Sequence, residues 1–455
     1  MTKQQRLTLT ISILASFVAF LDGSVVNVAL PAITKELGGG LITQQWVVDA
    51  YLITLSALIL TAGSLADIFG RKRILFWGLL GFGCASLLCT IAPTAEILIA
   101  SRALQGIAGA LLVPSSLAII IASFSGVAES KAIGAWTAWT GIAFVIGPLL
   151  GGFLVDVYSW RLIFAINSIP IAVTLWLMRS LHLKEPHVAN QHIDAWGTAL
   201  GIIGLGGTVY ALIQQPHFGW GNPAIFLPFI GGVFALIMFL WHESRAKSPM
   251  LPLKLFRIRN FTIGNISTIF IYAGLSIATF LITIFLQQVG GYSAIAAGLA
   301  LLPITLIMFA LSPRFGALAG KYGPRFFMTF GPIIAGFGFL SMLHITQSVS
   351  YWTELFPGVL LFGLGLSMTV APLTAAVLGA ITADNAGIAS AVNNAISRIA
   401  GLIAIAGIGV VTGVNLDVDS FHRGIVVMAI LLFIGGIVSA LGISNHQKKT
   451  SLKEV

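Results

Sequence analysis

Long apolar runs separated by short polar or basic connections set the pattern of this chain. Runs of about 20 apolar residues recur almost from end to end, the length a helix needs to cross a bilayer. They do not alternate between apolar and polar, which excludes a membrane barrel. Backbone groups in lipid must pair within their own segment, so each run is expected to be a helix. The pattern predicts about fourteen spans, over 7–30, 43–66, 74–92, 97–121, 132–155, 160–178, 195–213, 223–241, 261–289, 294–318, 326–345, 356–378, 387–411 and 424–441. The first run continues to Leu30 with no clear small-x-small cleavage site and reads as a retained span rather than a signal peptide. The expected fold class is an all-α polytopic membrane protein.

Charged residues inside these runs stand out, because a carboxylate at a helix centre in a bilayer costs about 2.5–3.5 kcal/mol on insertion scales. Asp22 lies in the stretch 21–31, LDGSVVNVALP, which ends the first run. Asp49 lies in the second run, and Arg102 in the fourth, one helical turn before Gln105. Counting back from the outer span ends at about 1.5 Å per residue puts Asp22, Asp49 and Arg102 at roughly 8–12 Å depth, so the three would share a layer. Arginine keeps its charge and would hold one carboxylate ionised. The surplus acid would carry an exchangeable proton, as intramembrane acids on ion pathways do. The plainer alternatives are a satisfied Asp22 or Asp49 in a water-filled vestibule and a purely structural pairing of Arg102.

Composition narrows the class. Of 455 residues, 57% are hydrophobic and only 9% charged, against about a quarter charged in soluble domains. The net charge of +9 does not indicate nucleic-acid binding, because the basic residues sit in short connections between spans. Lys3, Arg6, Arg71, Lys72, Arg73, Lys131, Arg179, Lys184, Arg245, Lys247, Lys254, Arg257, Arg259, Lys321, Arg325, Lys448, Lys449 and Lys453 fall on one side of the predicted topology. The other side has Lys35, Arg161 and Arg423, together with Glu36, Glu96, Asp156, Glu354, Asp417 and Asp419. The asymmetry places both termini in the cytoplasm of a multi-pass protein of the cell (inner) membrane. Cys84 and Cys89 are five residues apart, on different helix faces, and read as packing residues rather than a disulfide or metal site. His182, His187 and His192 are spaced five apart in a connector and read as a solvated loop, so no metal is expected.

An internal echo divides the chain. Gly63, Asp67, Gly70 and Arg71 in 63–72 recur as Gly316, Gly320, Gly323 and Pro324 in 316–325, and Gly78 and Gly331 keep the same offset. Such repeats mark secondary transporters, with the substrate near the midplane. The expected domains are a six-helix bundle over 1–180, an inserted hairpin with its connectors over 181–260, and a second six-helix bundle with a short tail over 261–455. The basic, leucine-rich connector 242–260 is expected at the inner membrane surface. Gly147, Pro148, Gly151 and Gly152 would bend the fifth span or bring another helix close. Trp136 and Trp139 on that span are candidates to line a cavity. Gly63 and Gly70 frame a tight turn in which Asp67 could pair with Arg71, a plausible gate.

Taken together, these residues resemble the major facilitator superfamily, specifically its fourteen-span drug:proton antiporters, along nearly the whole chain. Residues 63–72 look like its loop signature after span two, 98–110 like its span-four arginine motif, 147–152 like the span-five motif of exporters, and 21–31 like the span-one motif, with Ser24 where threonine is usual. Residues 160–170 and 287–293 add further matches. The resemblance implies the major facilitator fold: two pseudo-symmetric six-helix bundles plus an inserted two-helix hairpin, working by alternating access. It implies export driven by proton entry with no cofactor, Asp22 and Arg102 in proton coupling, Asp67 and Arg71 in an inner gate, and a span-five motif that biases transport outward. Ile68 stands where the loop motif often has a basic residue, and Gly320 replaces the acid of the second-half echo. Spans ten and thirteen carry no carboxylate; Asn393, Asn394 and Arg398 occupy span thirteen, which argues against divalent organic cations as cargo.

The expected function is a proton-coupled antiporter exporting lipophilic, neutral or monocationic drugs, with small molecules, protons and the bilayer as partners and a monomer as the working unit. The alternatives are an exporter of one endogenous metabolite or lipid, and a non-transporting receptor or scaffold. An intramembrane enzyme would need a nucleophile and base or a set of metal ligands, and the sequence offers neither.

Overall fold

A computed structural model describes residues 1–182, 194–246, 249–382 and 386–445. Lys184, Pro186, His187, His192, Lys247, Lys448, Lys449 and Lys453 of the charge and loop readings lie outside the described residues.

The described residues are helical throughout their long segments. The first half comprises α1 (Lys3–Leu37), α2 (Gly40–Phe69), α3 (Arg71–Ile91), α4 (Ala95–Ser123), α5 (Gly126–Val157), α6 (Leu162–Ala165) and α7 (Ser168–Met178). Next come α8 (Ala195–Phe218) and α9 (Pro223–Arg245). The remainder is α10 (Arg259–Gln288), α11 (Ala294–Tyr322), α12 (Arg325–Leu340), α13 (Phe356–Gly379), α14 (Ala386–Thr412) and α15 (Val418–Gly442). Among the described residues, 13 helices are long and apolar enough to cross a membrane, and Leu162–Met178 adds a shorter apolar one.

Local chemistry explains where the helices differ from the apolar runs. α1 starts early because Thr2 and Gln5 form a reciprocal capping box. It runs on to Leu37 through Pro31, seven residues beyond the apolar run, since one proline removes a single backbone bond from a helix that tertiary packing supports. Pro148 likewise sits inside a continuous α5 from Gly126 to Val157. The sixth span, Leu162–Met178, keeps right-handed helical φ and ψ through Ile166 and Asn167, where turns join α6 to α7. Pro170 lies in the first turn of α7, where its missing N–H costs nothing.

By backbone proximity the chain forms two compact units. Unit 1 comprises Met1–Gly207, Gly231–Met250 and Ser293–Ile295; unit 2 comprises Thr208–Ile230, Leu251–Tyr292 and Ala296–Val455. In unit 1, α2 and α3 pack on α4, and α1 on α5. In unit 2, α12 packs on α13, and α10 on α14 and α15. The pairings α3–α4 and α1–α5 thus recur as α12–α13 and α10–α14, as the echo in sequence suggests. Gly70 and Gly323, equivalent in that echo, turn the chain between consecutive helices at φ 94° and 90°, a conformation open to glycine and costly for other residues. Gly78 touches Leu111 and Leu112 of α4, and Gly331 touches Gly365 and Met368 of α13.

The core of unit 1 runs through Ile11, Val18, Tyr51, Leu55, Leu79, Phe82 and Leu112. Large apolar side chains also cover the outside, among them Trp77, Phe153, Phe234 and Ile169. A surface of that kind is suited to lipid rather than water. The inserted α8 is tied to α2 by a Thr61–Thr198 hydroxyl contact of 2.8 Å. Cys84 is exposed and Cys89 buried, and neither forms a disulfide.

Candidate functional site: a buried ion pair beside an unpartnered acid

The site is assembled from α1, α2, α3, α4 and the joint between α6 and α7. Arg102 and Gln105 are three apart on α4 and share a face. One turn on, Gly106 has no room for a side chain: a Cβ there would collide with the Tyr51 carbonyl and the Thr54 hydroxyl. This close approach of α2 and α4 lets Arg102 Nε donate to the Val47 carbonyl at 3.1 Å. The guanidinium also lies over the Tyr51 ring, 4.4 Å from its centroid, a favourable cation–π placement.

Asp22 of α1 meets this cation directly. Arg102 Nη1 donates to Asp22 Oδ2 at 2.5 Å and to Gln105 Oε1 at 2.6 Å. Gln105 Nε2 donates to Asp22 Oδ1 and to Ser86 Oγ, each at 2.9 Å. Asn167 Nδ2 donates to Asp22 Oδ1, also at 2.9 Å. Asp22, Gln105, Ser86 and Asn167 are fully enclosed, and Arg102 is 1% exposed. Both oxygens of Asp22 are engaged, so proton exchange there requires the network to open. An ion pair in such surroundings holds only when its remaining groups are hydrogen-bonded, and removing one partner typically costs about 3–5 kcal/mol.

Asp49 is arranged differently. It is fully buried, and neither carboxylate oxygen has a hydrogen-bond partner. Tyr51, two residues on, faces Arg102; two helical steps turn Asp49 to nearly the opposite side of α2. Val47 and Tyr51 flank it in sequence and both contact Arg102, which keeps Asp49 at the depth of the pair but not in it. The structure therefore brings together Asp22, Arg102 and Gln105 and leaves Asp49 apart. Asn167, Ser86, the Val47 carbonyl and Tyr51 complete the site and were not singled out as site residues from the sequence. Asn167 lies inside the 160–170 motif, where a polar residue in an apolar run was the available signal.

The other residues marked by the sequence fall elsewhere. Arg71 donates to Asp67 Oδ1 at 3.0 Å and to the Ala118 carbonyl at 3.0 Å, forming a partly exposed pair beside the Gly70 turn. Gly63 has open space where a Cβ would stand. Gly147 lies against the Ser24 side chain, Gly151 against Val25 and Val28, and Gly152 against the backbone of Ala294 and Ile295. The close-contact reading of 147–152 is what the structure realises, with Pro148 inside a continuous helix. Trp136 donates to Ser16 Oγ at 3.0 Å and packs on Ile120 and Phe124, while Trp139 is exposed. Asn393 donates to Asn265 Oδ1 and Thr268 Oγ1 at 2.9 and 3.0 Å, and Asn394 bonds the Ser390 carbonyl. Among the described residues no group of three or more His, Cys, Asp or Glu is placed to hold a metal ion.

Among the described residues, 13 helices long and apolar enough to cross a membrane mark a polytopic membrane protein. The family model of the Major Facilitator Superfamily matches residues 12–405, and the chain belongs to that superfamily. It is 34% identical over 419 residues to the multidrug resistance protein Stp of Mycobacterium tuberculosis, covering 90% of this chain and 76% of the relative. It is 34% identical over 403 residues to the methylenomycin A resistance protein of Bacillus subtilis, covering 88% and 85%. Among solved structures, a peptide transporter POT in complex with sulfate has a TM-score of 0.71 at 16% identity, covering 95% of this chain and 94% of that one. That likeness is one of fold. Relatives of this chain are multidrug and antibiotic resistance transporters of the superfamily.

Proposed function

We propose that this protein is a proton-coupled antiporter that exports lipophilic, neutral or monocationic compounds by alternating access. The observation that carries the reading is the division between two buried acids at one depth: Asp22 fully bonded to Arg102, Gln105 and Asn167, and Asp49 with no donor at all. Asp49 takes up or releases a proton without breaking a hydrogen bond. Asp22 cannot do so without freeing Arg102. Asp49 is then the acid that exchanges protons with cargo, and Asp22–Arg102 is the switch that senses the exchange. Asp67–Arg71 serves as a gate at the basic end, and the packed face 147–152 seats α5 against α1. Both termini lie in the cytoplasm in this reading, which the basic connectors support. The working unit is a monomer and needs no cofactor.

The names of the relatives support export of toxic compounds, and they leave room for narrower cargo. Some are named for multidrug resistance and others for a single antibiotic, methylenomycin A or puromycin. A one-compound exporter is therefore the second reading. Vesicles containing the purified protein and loaded with a proton gradient separate the two. Gradient-driven movement of several unrelated lipophilic compounds supports the first reading, movement of one compound supports the second, and movement of none contradicts both. Voltage adds detail: a proton crossing 100 mV gains about 2.3 kcal/mol. Exchange of one proton through Asp49 for one monocation moves no net charge, so voltage-dependent monocation efflux would show that a second acid also titrates.

A further inference from the structure

Outside the ion-pair site, the strongest unassigned feature of unit 1 lies where α3 begins and α7 ends. There a cavity of about 880 Å³ is lined by Lys72, Arg73, Arg179 and His182 together with Phe76 and Trp176. Its volume is in the range of small-molecule sites. Among the described residues no carboxylate lines it. Nearby Asp67 is engaged by Arg71, and Arg71 is further tied to the Ala118 carbonyl. Lys72 donates to the Leu181 carbonyl at 2.5 Å, and His182 is held by Gln4 and Ser180. Among the described residues, neither the Arg73 nor the Arg179 side chain has a hydrogen bond or ion pair, and both residues are exposed. Two guanidiniums facing one cavity, with no acid among the described residues to balance them, suit an anion, since the planar fork of arginine matches phosphate oxygens.

The apolar wall says which anion. On α7, Ile169, Val173 and Trp176 are exposed at helical spacing, and on α3 Phe76, Trp77 and Leu80 are exposed as well. This outward face is made for acyl chains, and it ends in the cavity at Trp176, which is 65% exposed. Tryptophan prefers the level of lipid headgroups. Basic cavities between membrane helices take anionic headgroups.

We propose that this cavity binds the phosphate headgroup of an anionic phospholipid from the leaflet at the basic end of unit 1. Arg73 and Arg179 grip the phosphate, and the upper acyl chain lies along Phe76 and Trp176. The site neither touches nor requires the Asp22–Arg102 network, so it stands independently of the transport reading.

Quenching of tryptophan fluorescence by brominated lipid tests it. The intact protein is placed in bilayers mixing brominated phosphatidylglycerol with plain phosphatidylcholine, and in the reverse mixture. The difference between wild type and Trp176→Phe isolates the Trp176 signal. Trp176 quenching is expected to half-saturate at a much lower fraction of phosphatidylglycerol than of phosphatidylcholine. Arg73→Gln with Arg179→Gln is expected to weaken that preference by roughly thirtyfold, two basic residues near a charged surface. Lys254→Gln, which removes a charge elsewhere, and Arg179→Lys, which keeps one, are expected to retain most of it. Equal quenching by both lipids, or a preference that survives the double substitution in folded protein, overturns the proposal. Loss of the preference on adding millimolar glycerol phosphate also overturns it, because the site would then take soluble phosphate esters.

Discussion

Asn167 donates to Asp22 Oδ1 at 2.9 Å across 145 positions of sequence, from the turn that joins α6 to α7 within one apolar span. The joint between α6 and α7 thus supplies part of the enclosure of the Asp22 carboxylate. The amide replaces hydration that the carboxylate loses on burial. A hydrogen bond to a charged group is worth about 1.5–3 kcal/mol. Asn167→Ala is expected to destabilise the protein by that amount in thermal or denaturant unfolding and to slow transport. An unchanged melting profile would show that the bond carries no weight.

Arg102 makes three kinds of contact at once, to Asp22, to Gln105 and to the Val47 carbonyl. An ammonium group cannot reproduce this fork. Arg102→Ala leaves Asp22 as an uncompensated buried charge and is expected to cost about 3–5 kcal/mol. Adding Asp22→Asn to Arg102→Ala is expected to recover much of the stability but none of the proton-coupled transport. Strict additivity of the two substitutions in unfolding measurements would argue against the pairing.

Glycines of the motifs separate by function. Gly106→Ala drives a methyl group into the Tyr51 carbonyl and Thr54, and overpacking of this kind costs about 1–3 kcal/mol. It also pushes α2 away from α4, lengthening the Arg102–Val47 bond. Gly63→Ala meets nothing within 4 Å and is expected to be neutral or mildly stabilising, since alanine favours a helix by about 0.8–1.0 kcal/mol over glycine. Melting temperatures of the two variants check the contrast directly.

At the start of α15, Asp417 accepts from the Ser420 backbone N–H at 2.8 Å, and Ser420 Oγ accepts from the Asp417 N–H at 2.7 Å. Hydrogen bonds to the carboxyl from the Ser420 backbone first, and then from its side chain, hold Asp417 below its ordinary value. A group lowered on folding contributes stability above its unfolded value and loses that contribution as pH falls through the folded one. Asp417→Asn keeps a capping oxygen and is expected to flatten the acid side of the stability–pH curve at this helix end, with little change at neutral pH. Amide exchange of Ser420 and Phe421 between pH 2 and 6 measures it.

Much of this was legible in sequence for identifiable reasons. Apolar runs report helices in lipid because no other open structure satisfies the backbone, so most spans were predicted to within a few residues. Asp22, Arg102 and Gln105 stood out because charged and amide groups inside such runs are expensive. Asn167 and Ser86 did not, since their role depends on helices that meet only after folding. Pro31 and Pro148, which look like breakers, sit inside intact helices. The separation of Asp49 from Arg102 follows from helical phase on α2. A depth count alone does not carry that information.

The central claim is that Asp49 is the acid that exchanges its proton with cargo while Asp22 and Arg102 form the switch. Substrate-induced proton release from purified protein in weakly buffered solution tests it most directly, comparing wild type with Asp49→Asn and Asp22→Asn. The account predicts that release is abolished in Asp49→Asn, and that in Asp22→Asn it persists but no longer drives transport in vesicles. Wild-type proton release in Asp49→Asn would contradict it.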